Sequence, residues 1–247
     1  MAPIIQIVGV KKSFSGHEVL KGIDLEVEEG TTAVILGGSG SGKTVLMKHM
    51  IGLLRPDSGK VIVDGEDIVQ LPNDELARVR KKFGMVFQAA ALFDSMNVYE
   101  NVAFPLREHK KVREEEIREK VREKLAIVGL KNVEHKFPAD LSGGMRKRVG
   151  LARAIILDPK IVLYDEPTTG LDPITTDYVD EMILDAKKQL GVTSVVISHD
   201  IASAFKVADK IAFLHQGHIV DQGPPQKLRH SQHPAVNGFL QTWFGKQ

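Results

Sequence analysis

The chain has 247 residues, and its 33 lysines and arginines nearly balance its 32 aspartates and glutamates. This length suffices for one large domain or two small ones, and the near-neutral charge gives no overall field that would draw the chain to nucleic acid or anionic lipid. The absence of cysteine excludes disulfides and thiolate metal sites. No apolar run approaches the roughly 20 residues that span a bilayer. The N-terminus also lacks the basic start and long apolar core of a signal peptide.

An antiparallel β layer is predicted first. Apolar and acidic residues alternate through residues 19–28, as in a strand with one buried face. Residues 13–16, which include the aromatic Phe14, predict the turn before it. Asp64-Gly65 is a hairpin-type turn signal. The strands predicted for this layer are residues 4–10, 19–28 and 61–63.

A glycine-rich stretch follows the apolar run 33–36 and leads into a predicted helix at residues 45–50. It fits G-x-x-x-x-G-K-[ST], the phosphate-binding pattern, and its strand-to-helix context disfavours the alternative of a simple glycine-rich turn. Glycines let successive N–H groups turn inward around an anion, and the helix start adds partial positive charge. Lys43 can then reach the β- and γ-phosphates, while the Thr44 hydroxyl can bind Mg²⁺. The candidate nucleotide-binding residues are Gly37, Gly38, Ser39, Gly40, Ser41, Gly42, Lys43, Thr44 and Val45.

The middle of the chain changes character. A helix is predicted at residues 73–82 and a buried strand at residues 83–87, after which residues 97–157 predict mostly helix. The charged residues at 110–124 fit either a solvated helix face or an interaction surface, and the solvated face is favoured because such patterning is ordinary. On the opposite face lie Ile117, Val121, Leu125 and Val128.

Buried parallel strands are predicted after this helical segment. They occupy residues 161–164 and 195–198, with a helix at residues 174–189 between them, and a terminal hairpin follows at 211–214 and 217–220. The whole pattern predicts an α/β fold with a mainly parallel sheet, an N-terminal antiparallel β layer and an inserted α-helical subdomain. In such a sheet, ligands bind outside the carboxyl ends of the strands.

Polar residues stand where three of these strands end. Asp165 follows residues 161–164 and is placed to hold Mg²⁺, while the adjacent Glu166 can accept a proton from an attacking water. His199 ends the next strand, where it can hydrogen-bond a γ-phosphate; a structural histidine is the alternative. Gln88 also follows a strand, and its amide can orient water or complete the Mg²⁺ shell.

A second anion-binding nest is predicted ahead of a helix at residues 146–157. It consists of Leu141, Ser142, Gly143, Gly144 and Met145, and its serine and glycines lie at the helix start. One nucleotide does not need two nests in one chain. The economical explanation is that this nest caps the γ-phosphate held by another copy, so that a symmetric pair buries two nucleotides.

In this order of motifs the sequence resembles the nucleotide-binding subunits of ABC transporters over nearly the whole chain. The resemblance implies an ABC ATPase fold on a P-loop NTPase core at residues 1–230, with a helical subdomain at about 97–157 and a helical extension at 231–247. Phe14 matches the aromatic that stacks on adenine, although tyrosine is commoner there. Residues 141–145 match the signature motif, with Met145 in place of the usual glutamine. Residues 169–172 match the D-loop, whose Asp172 joins the signature residues in the partner's site.

The resemblance also implies the chemistry. The cofactors are ATP and Mg²⁺, with Thr44, Gln88 and Asp165 as metal ligands. The implied catalytic residues are Glu166, His199, Lys43 and Gln88.

A subfamily is indicated by the residues around the signature. LSGGM followed by Arg-Lys-Arg, with Asp-Pro-Ile-Thr at 172–175, is similar to the ATPases of Mla/Mce-type lipid transporters. Such an ATPase works as a homodimer beneath permease subunits, on the cytoplasmic face of the inner membrane. Its further partners are an MCE-domain lipid-binding protein and often a STAS-domain protein. Amino-acid importers share most of these motifs and are the alternative.

The sequence disfavours two other classes of protein. A soluble ABC ATPase acting on DNA or ribosomes usually carries long coiled-coil or zinc insertions or a second cassette, and this chain shows neither, nor a basic stripe. We therefore expect no nucleic-acid partner. A purely nucleotide-sensing role would leave Glu166 and His199 unexplained.

The C-terminal segment carries an apolar stripe. Phe239 and Trp243, like Leu240 and Phe244, are spaced four apart, so they share one face of a predicted helix. This face either docks on a second subunit or a regulatory partner, or packs on the chain's own core. Self-packing is the favoured alternative.

Overall fold

The structure, a computed structural model, describes residues 3–109 and 112–244. Within these ranges the strands form one four-stranded and one six-stranded sheet. The strands are β1 (Pro3–Phe14), β2 (His17–Glu28), β3 (Thr32–Leu36), β4 (Ser58–Val63), β5 (Glu66–Asp67), β6 (Phe83–Val86), β7 (Ile161–Asp165), β8 (Thr193–Ser198), β9 (Lys210–His215) and β10 (His218–Gly223). The α-helices are α1 (Lys43–Met50), α2 (Asn73–Arg80), α3 (Val98–His109), α4 (Glu114–Ile127), α5 (Gly143–Ile155), α6 (Pro173–Leu190), α7 (Ile201–Val207), α8 (Pro225–Arg229) and α9 (Pro234–Phe244).

The four-stranded sheet is the predicted antiparallel layer, in the order β2-β1-β4-β5. Its first hairpin is longer than the sequence predicts, because Ser13 pairs with Glu18 and Phe14 with His17. The turn is therefore confined to the two residues between β1 and β2, and the prediction of a turn over residues 13–16 is wrong for its first half. Phe14 consequently lies at the end of a strand.

The six-stranded sheet has the order β10-β9-β3-β8-β7-β6, and only β10 runs antiparallel to its neighbour. The predicted mainly parallel sheet is thus confirmed. Leu36 lies beside Ser198, and Asp165 lies beside Ile197. The carboxyl ends of β3, β7 and β8 therefore meet at one edge, which carries the polar residues that follow them.

The helical segment after β6 contains α3, α4 and α5. Its α4 buries Ile117, Val121 and Leu125 against these neighbours, as the spacing predicts. The charged run is less solvated than expected, because the side chain of Lys124 is only 4% exposed and lies 2.6 Å from a carboxylate oxygen of Asp158. Two residues of the run, 110 and 111, lie outside the described residues.

The C-terminal helix α9 packs on the chain's own core. Val236 and Leu240 are buried, and the ring centroid of Phe239 lies 5.1 Å from that of Phe213 in β9. Trp243 also lies against this core, whereas the side chain of Phe244 is outside the described part of the chain. The structure supports the self-packing alternative for this segment. No helix within residues 3–109 and 112–244 has the length and apolarity needed to cross a membrane.

Candidate nucleotide-binding and catalytic site

The phosphate loop joins the buried strand β3 to helix α1. Gly37 has to be glycine because a Cβ there would lie 2.3 Å from the carbonyl oxygen of Leu214 in β9. Gly42 precedes α1 with a φ of 106°, a conformation that L side chains rarely adopt. No side chain caps the start of α1. The backbone N–H groups of its first turn are therefore available to an anion.

Lys43 folds its side chain back over this loop. Its ammonium donates to the carbonyl oxygens of Gly37 at 2.9 Å and Gly38 at 3.1 Å. Only 6% of the Lys43 residue is exposed. The hydroxyl oxygen of Ser41 is buried and has no hydrogen-bond partner among the described residues. A loop with free N–H donors, a buried cation and an unpaired hydroxyl fits a bound phosphate chain.

The other predicted loop residues differ in what they present. Thr44 is an exposed residue on the first turn of α1. Val45 is half-buried, and its side chain packs on the core beneath the loop. Any contact of Val45 with a nucleotide therefore falls to its backbone N–H.

Glu166 is at the centre of the candidate catalytic cluster. One carboxylate oxygen, Oε1, lies 3.4 Å from Nζ of Lys43, and Oε2 lies 2.7 Å from Nδ1 of His199. The hydroxyl of Thr169 also donates to Oε2, at 3.0 Å. The backbone of Glu166 has a φ of 49°, an unfavourable left-handed conformation for a non-glycine residue. Such strain is typical of functional sites, where the surroundings hold it in place.

Asp165 ends β7 beside this cluster. Burial raises the pKa of its carboxyl, as does the charge of Glu166, whereas the positive charges of Lys48 and Lys43 oppose the rise. A bound cation would relieve both effects. Among the described residues, no group of three or more histidines, cysteines, aspartates and glutamates could hold a metal by itself. A small donor set such as Asp165 with Thr44 and Gln88 suits Mg²⁺, which typically takes one or two protein ligands and completes its shell with phosphate oxygens and water.

Gln88 lies in an exposed turn two residues beyond β6. It lines a groove of about 400 Å³ together with Gly143 of the signature and Thr169, which donates to Glu166. The structure thus brings Gln88 close to the turn that follows the Glu166 carboxylate.

Phe14, at the end of β1, is 42% exposed, and the ammonium of Lys12 lies 5.5 Å from its ring centroid.

The signature residues divide into anchors and exposed groups. Leu141 is buried and Met145 packs on the helical core, whereas Ser142 and Gly143 are exposed. The Ser142 hydroxyl accepts from the backbone N–H of Met145 at 3.3 Å and so caps α5. Gly144 is half-buried. The exposed part of the loop is therefore the serine and glycine portion suited to an anion.

The D-loop lies beside the signature. Asp172 caps α6, with its carboxylate accepting from the N–H of Thr175 at 3.0 Å and from the Thr175 hydroxyl at 2.6 Å. These hydrogen bonds lower the pKa of Asp172. Residues 142–145 and 170–172 together line a groove of about 460 Å³, to which the described residues of the phosphate loop contribute nothing. Neither this groove nor the one beside Gln88 is lined by a described residue of the phosphate loop.

Comparison with known proteins identifies the family. A family model described as "ABC transporter" matches residues 20–169, which include the phosphate loop, the signature and the carboxylate pair. The chain belongs to the ABC transporter family. It is an ATP-hydrolysing subunit with the ABC ATPase fold, and cassettes of this family act as pairs with a transmembrane permease.

Three relatives are informative. The chain is 48% identical over 240 residues to "Probable ribonucleotide transport ATP-binding protein mkl" of Mycobacterium tuberculosis, covering 97% of this chain and 67% of that protein. It is 41% identical over 240 residues to "Intermembrane phospholipid transport system ATP-binding protein MlaF" of Escherichia coli, covering 97% and 89%. The solved dimeric post-hydrolysis cassette MJ0796, bound to ADP and Pi, has a TM-score of 0.80 at 31% identity, covering 90% of this chain and 98% of that one.

The sequence predicts Thr169 only as a D-loop residue and predicts no role for Lys147, yet both contact the Glu166 segment of this ABC ATPase. Thr169 donates to the Glu166 carboxylate, and Lys147 of α5 donates to the carbonyl of Pro167. The sequence gives only a weak signal for Lys147, which is the middle residue of the basic triplet that directly follows the signature. Its burial depends on how α5 packs, which helical periodicity alone does not specify.

Proposed function

We propose that two copies of this chain enclose two molecules of ATP, each held between the phosphate loop of one copy and the signature loop of the other. The observation that carries this proposal is that the grooves lined by the signature residues include no described residue of the phosphate loop of the same chain. One copy cannot direct both loops at the same triphosphate. A symmetric pair can, because each copy then supplies the half that the other lacks.

Within each site, Lys43 and the backbone N–H groups from residue 37 to residue 45 bind the phosphates. Thr44, Asp165 and Gln88 would hold Mg²⁺, which would supply positive charge beside the phosphate oxygens. Glu166 accepts a proton from the attacking water, and its strained backbone keeps the carboxylate at the end of β7.

The other assigned groups orient and complete the site. His199, which contacts the Glu166 carboxylate, fixes that carboxylate and hydrogen-bonds the γ-phosphate. Phe14 stacks on the adenine through its exposed ring. The partner contributes residues 141–145, of which Ser142 and Gly143 are exposed. It also contributes Asp172 at the edge of the D-loop.

The conformational change that accompanies ATP binding and hydrolysis is transmitted to the permease through an apolar groove next to Gln88. The groove measures about 540 Å³ and is lined by Phe87, Phe93 and Phe104, of which the first two are exposed. Exposed aromatic side chains in a concave surface are typical of a docking site for another protein. Segment 89–105 would therefore contact the permease and place the chain at the cytoplasmic face of the inner membrane.

The proposed cargo is phospholipid, carried between the inner and outer membranes of a bacterium. Support comes from the 41% identity to the E. coli protein named for intermembrane phospholipid transport. The proposed partners are permease subunits, an MCE-domain lipid-binding protein and a STAS-domain protein. A polar solute is the second candidate, because the 48%-identical mycobacterial relative is named for ribonucleotide transport.

Glu166→Gln tests the proposed hydrolysis. The substitution removes the proton-accepting carboxylate but keeps its shape, so we expect ATP to bind with turnover abolished and the ATP-bound dimer to accumulate. ATPase assays and size-exclusion chromatography with ATP would measure this. Hydrolysis by Glu166→Gln at the wild-type rate would show that Glu166 is not the base.

The cargo needs a different experiment. The complex that co-purifies from membranes with this chain would be identified by mass spectrometry, reconstituted, and assayed for ATPase stimulation by phospholipid vesicles and by ribonucleotides. Recovery of an MCE-domain protein and stimulation by phospholipid alone are expected. Stimulation by ribonucleotides alone would favour the second candidate.

A further inference from the structure

Lys147 is buried in a place where a lysine is costly. It is on α5, two residues after the signature, and its side chain is only 6% exposed. Its ammonium donates to the carbonyl of Pro167, and burial lowers its pKa. Burying a cation costs free energy, and a neutral carbonyl offsets less of that cost than a carboxylate would.

The contact joins α5 to the segment that carries Glu166. Pro167 directly follows Glu166, and the turn closes when the backbone N–H of Thr169 donates to the Glu166 carbonyl at 3.3 Å. The side chain of Thr169 also donates to the Glu166 carboxylate. A shift of the Pro167 carbonyl would therefore move the carboxylate relative to His199.

The same helix also holds the turn after Gln88. The guanidinium of Arg153 donates to the carbonyl oxygens of Ala90 and Ala91, each at 2.7 Å. Both alanines have a positive φ, of 61° and 48°. Two consecutive non-glycine residues in this conformation are strained and need outside support. Helix α5 thus supports both loops that carry predicted catalytic groups.

We propose that Lys147 is a positioning residue for ATP hydrolysis, linking the signature helix to the Glu166 segment of the same chain. This inference rests on the proposed function, in which the start of α5 contacts the ATP held by the partner. Engagement of the signature at one site then sets the Glu166 carboxylate at the other. The two sites of the dimer should accordingly respond cooperatively to ATP.

Lys147→Met in the full-length chain tests the link, because methionine keeps most of the apolar stem and loses the ammonium. We expect the maximal ATPase rate to fall by about tenfold or more, since small displacements of a catalytic group carry large costs. The Hill coefficient for ATP should approach one. ATP affinity, measured by equilibrium binding, should change by less than about threefold, since no phosphate-loop contact is removed. Lys147→Arg retains a donor and should restore most of the rate.

Lys124→Met is the matched control. Lys124 is equally buried, in α4, and its partners are Glu123 and Asp158 rather than a catalytic loop. This variant should lose thermal stability and keep its maximal rate and cooperativity. Lys147→Gln, which removes the buried charge with a shorter side chain, serves if Lys147→Met does not fold, and should show the same fall in rate.

Two outcomes would overturn the inference. One is an unchanged maximal rate in Lys147→Met or Lys147→Gln, and the other is an equal fall in Lys124→Met, which would indicate a general loss of stability. Neither outcome bears on the proposed function, which fails separately if Glu166→Gln hydrolyses ATP normally.

Discussion

The carboxylate of Glu166 is shared between two groups, with Oε2 2.7 Å from Nδ1 of His199 and Oε1 3.4 Å from the ammonium of Lys43. These residues come from the ends of β7 and β8 and from the first turn of α1. A carboxylate accepts hydrogen bonds, so the imidazole must carry its proton on Nδ1 in this contact. A hydrogen bond from Nε2 to a γ-phosphate oxygen at the same time requires the doubly protonated imidazolium, because both the carboxylate and the phosphate accept.

His199→Ala should lower the ATPase rate by about a hundredfold, because the Glu166 carboxylate loses the group that orients it. ATP affinity should stay within about threefold of wild type, since the contacts of the phosphate loop persist. Steady-state kinetics and equilibrium binding would separate the two effects. A wild-type rate in His199→Ala would contradict a role for this contact in hydrolysis.

Gly37→Ala should displace the phosphate loop. Its Cβ would lie 2.3 Å from the Leu214 carbonyl, so the loop or β9 must move. We expect the free energy of unfolding to fall by about 1 to 3 kcal/mol, as for other overpacked positions, and ATP binding to weaken. For stability the control is Gly38→Ala, whose Cβ would meet nothing within 4 Å. Chemical denaturation of both variants measures the difference, and equal stability would show that the close approach is not restrictive.

The sequence suffices to predict that the residues of the candidate catalytic cluster lie at one edge of the sheet. Apolar runs that end in Asp165 and His199 predict parallel strands, and parallel strands place their carboxyl ends at one edge. What the sequence does not predict depends on packing between distant segments. Lys147 reaches Pro167 only because α5 lies against the turn after β7. The extension of the first hairpin to Phe14 likewise depends on pairing with His17 across the turn.

The fold of the C-terminal segment could not be decided from its pattern, because an apolar stripe looks the same whether it faces a partner or its own core. In the structure Leu240 is only 5% exposed within the chain. Leu240→Ala should therefore lower the free energy of unfolding by about 2 kcal/mol or more through the cavity it leaves. Gln241→Ala, at an exposed position of the same helix, is the control. An unchanged melting temperature in Leu240→Ala would instead favour docking on a partner.

Asp180 predicts a dependence of stability on pH. Burial raises the pKa of this carboxyl to about 6 from 3.8, with Asp200 and Asp177 adding to the rise while the Ser203 hydroxyl and Lys206 oppose it. The folded chain therefore binds this proton more tightly than the unfolded chain does. Its contribution to stability is fully present below about pH 4 and is lost as pH rises through about 6, by on the order of 2 to 3 kcal/mol.

Asp180→Asn keeps an acceptor for the Ser203 hydroxyl and removes the titration. The stability of this variant relative to wild type should rise between pH 4 and pH 7, and denaturation at several pH values would measure the change. Asp185→Asn, an exposed position on the same helix, is the control. If the free energies of unfolding of Asp180→Asn and wild type differed by the same amount at every pH, the raised pKa of Asp180 would be contradicted.

The composite site is tested most directly by mixing two inactive variants. Lys43→Ala disables the phosphate loop and Ser142→Arg blocks the signature, so each should be inactive alone. In a one-to-one mixture, half of the dimers pair the two variants and contain one intact site of two. Recovery should therefore reach at most about a quarter of the wild-type ATPase rate, and less to the extent that the blocked signature of the same chain no longer sets Glu166. Full activity of Ser142→Arg alone, or no recovery on mixing, would contradict a site built from two copies of the chain.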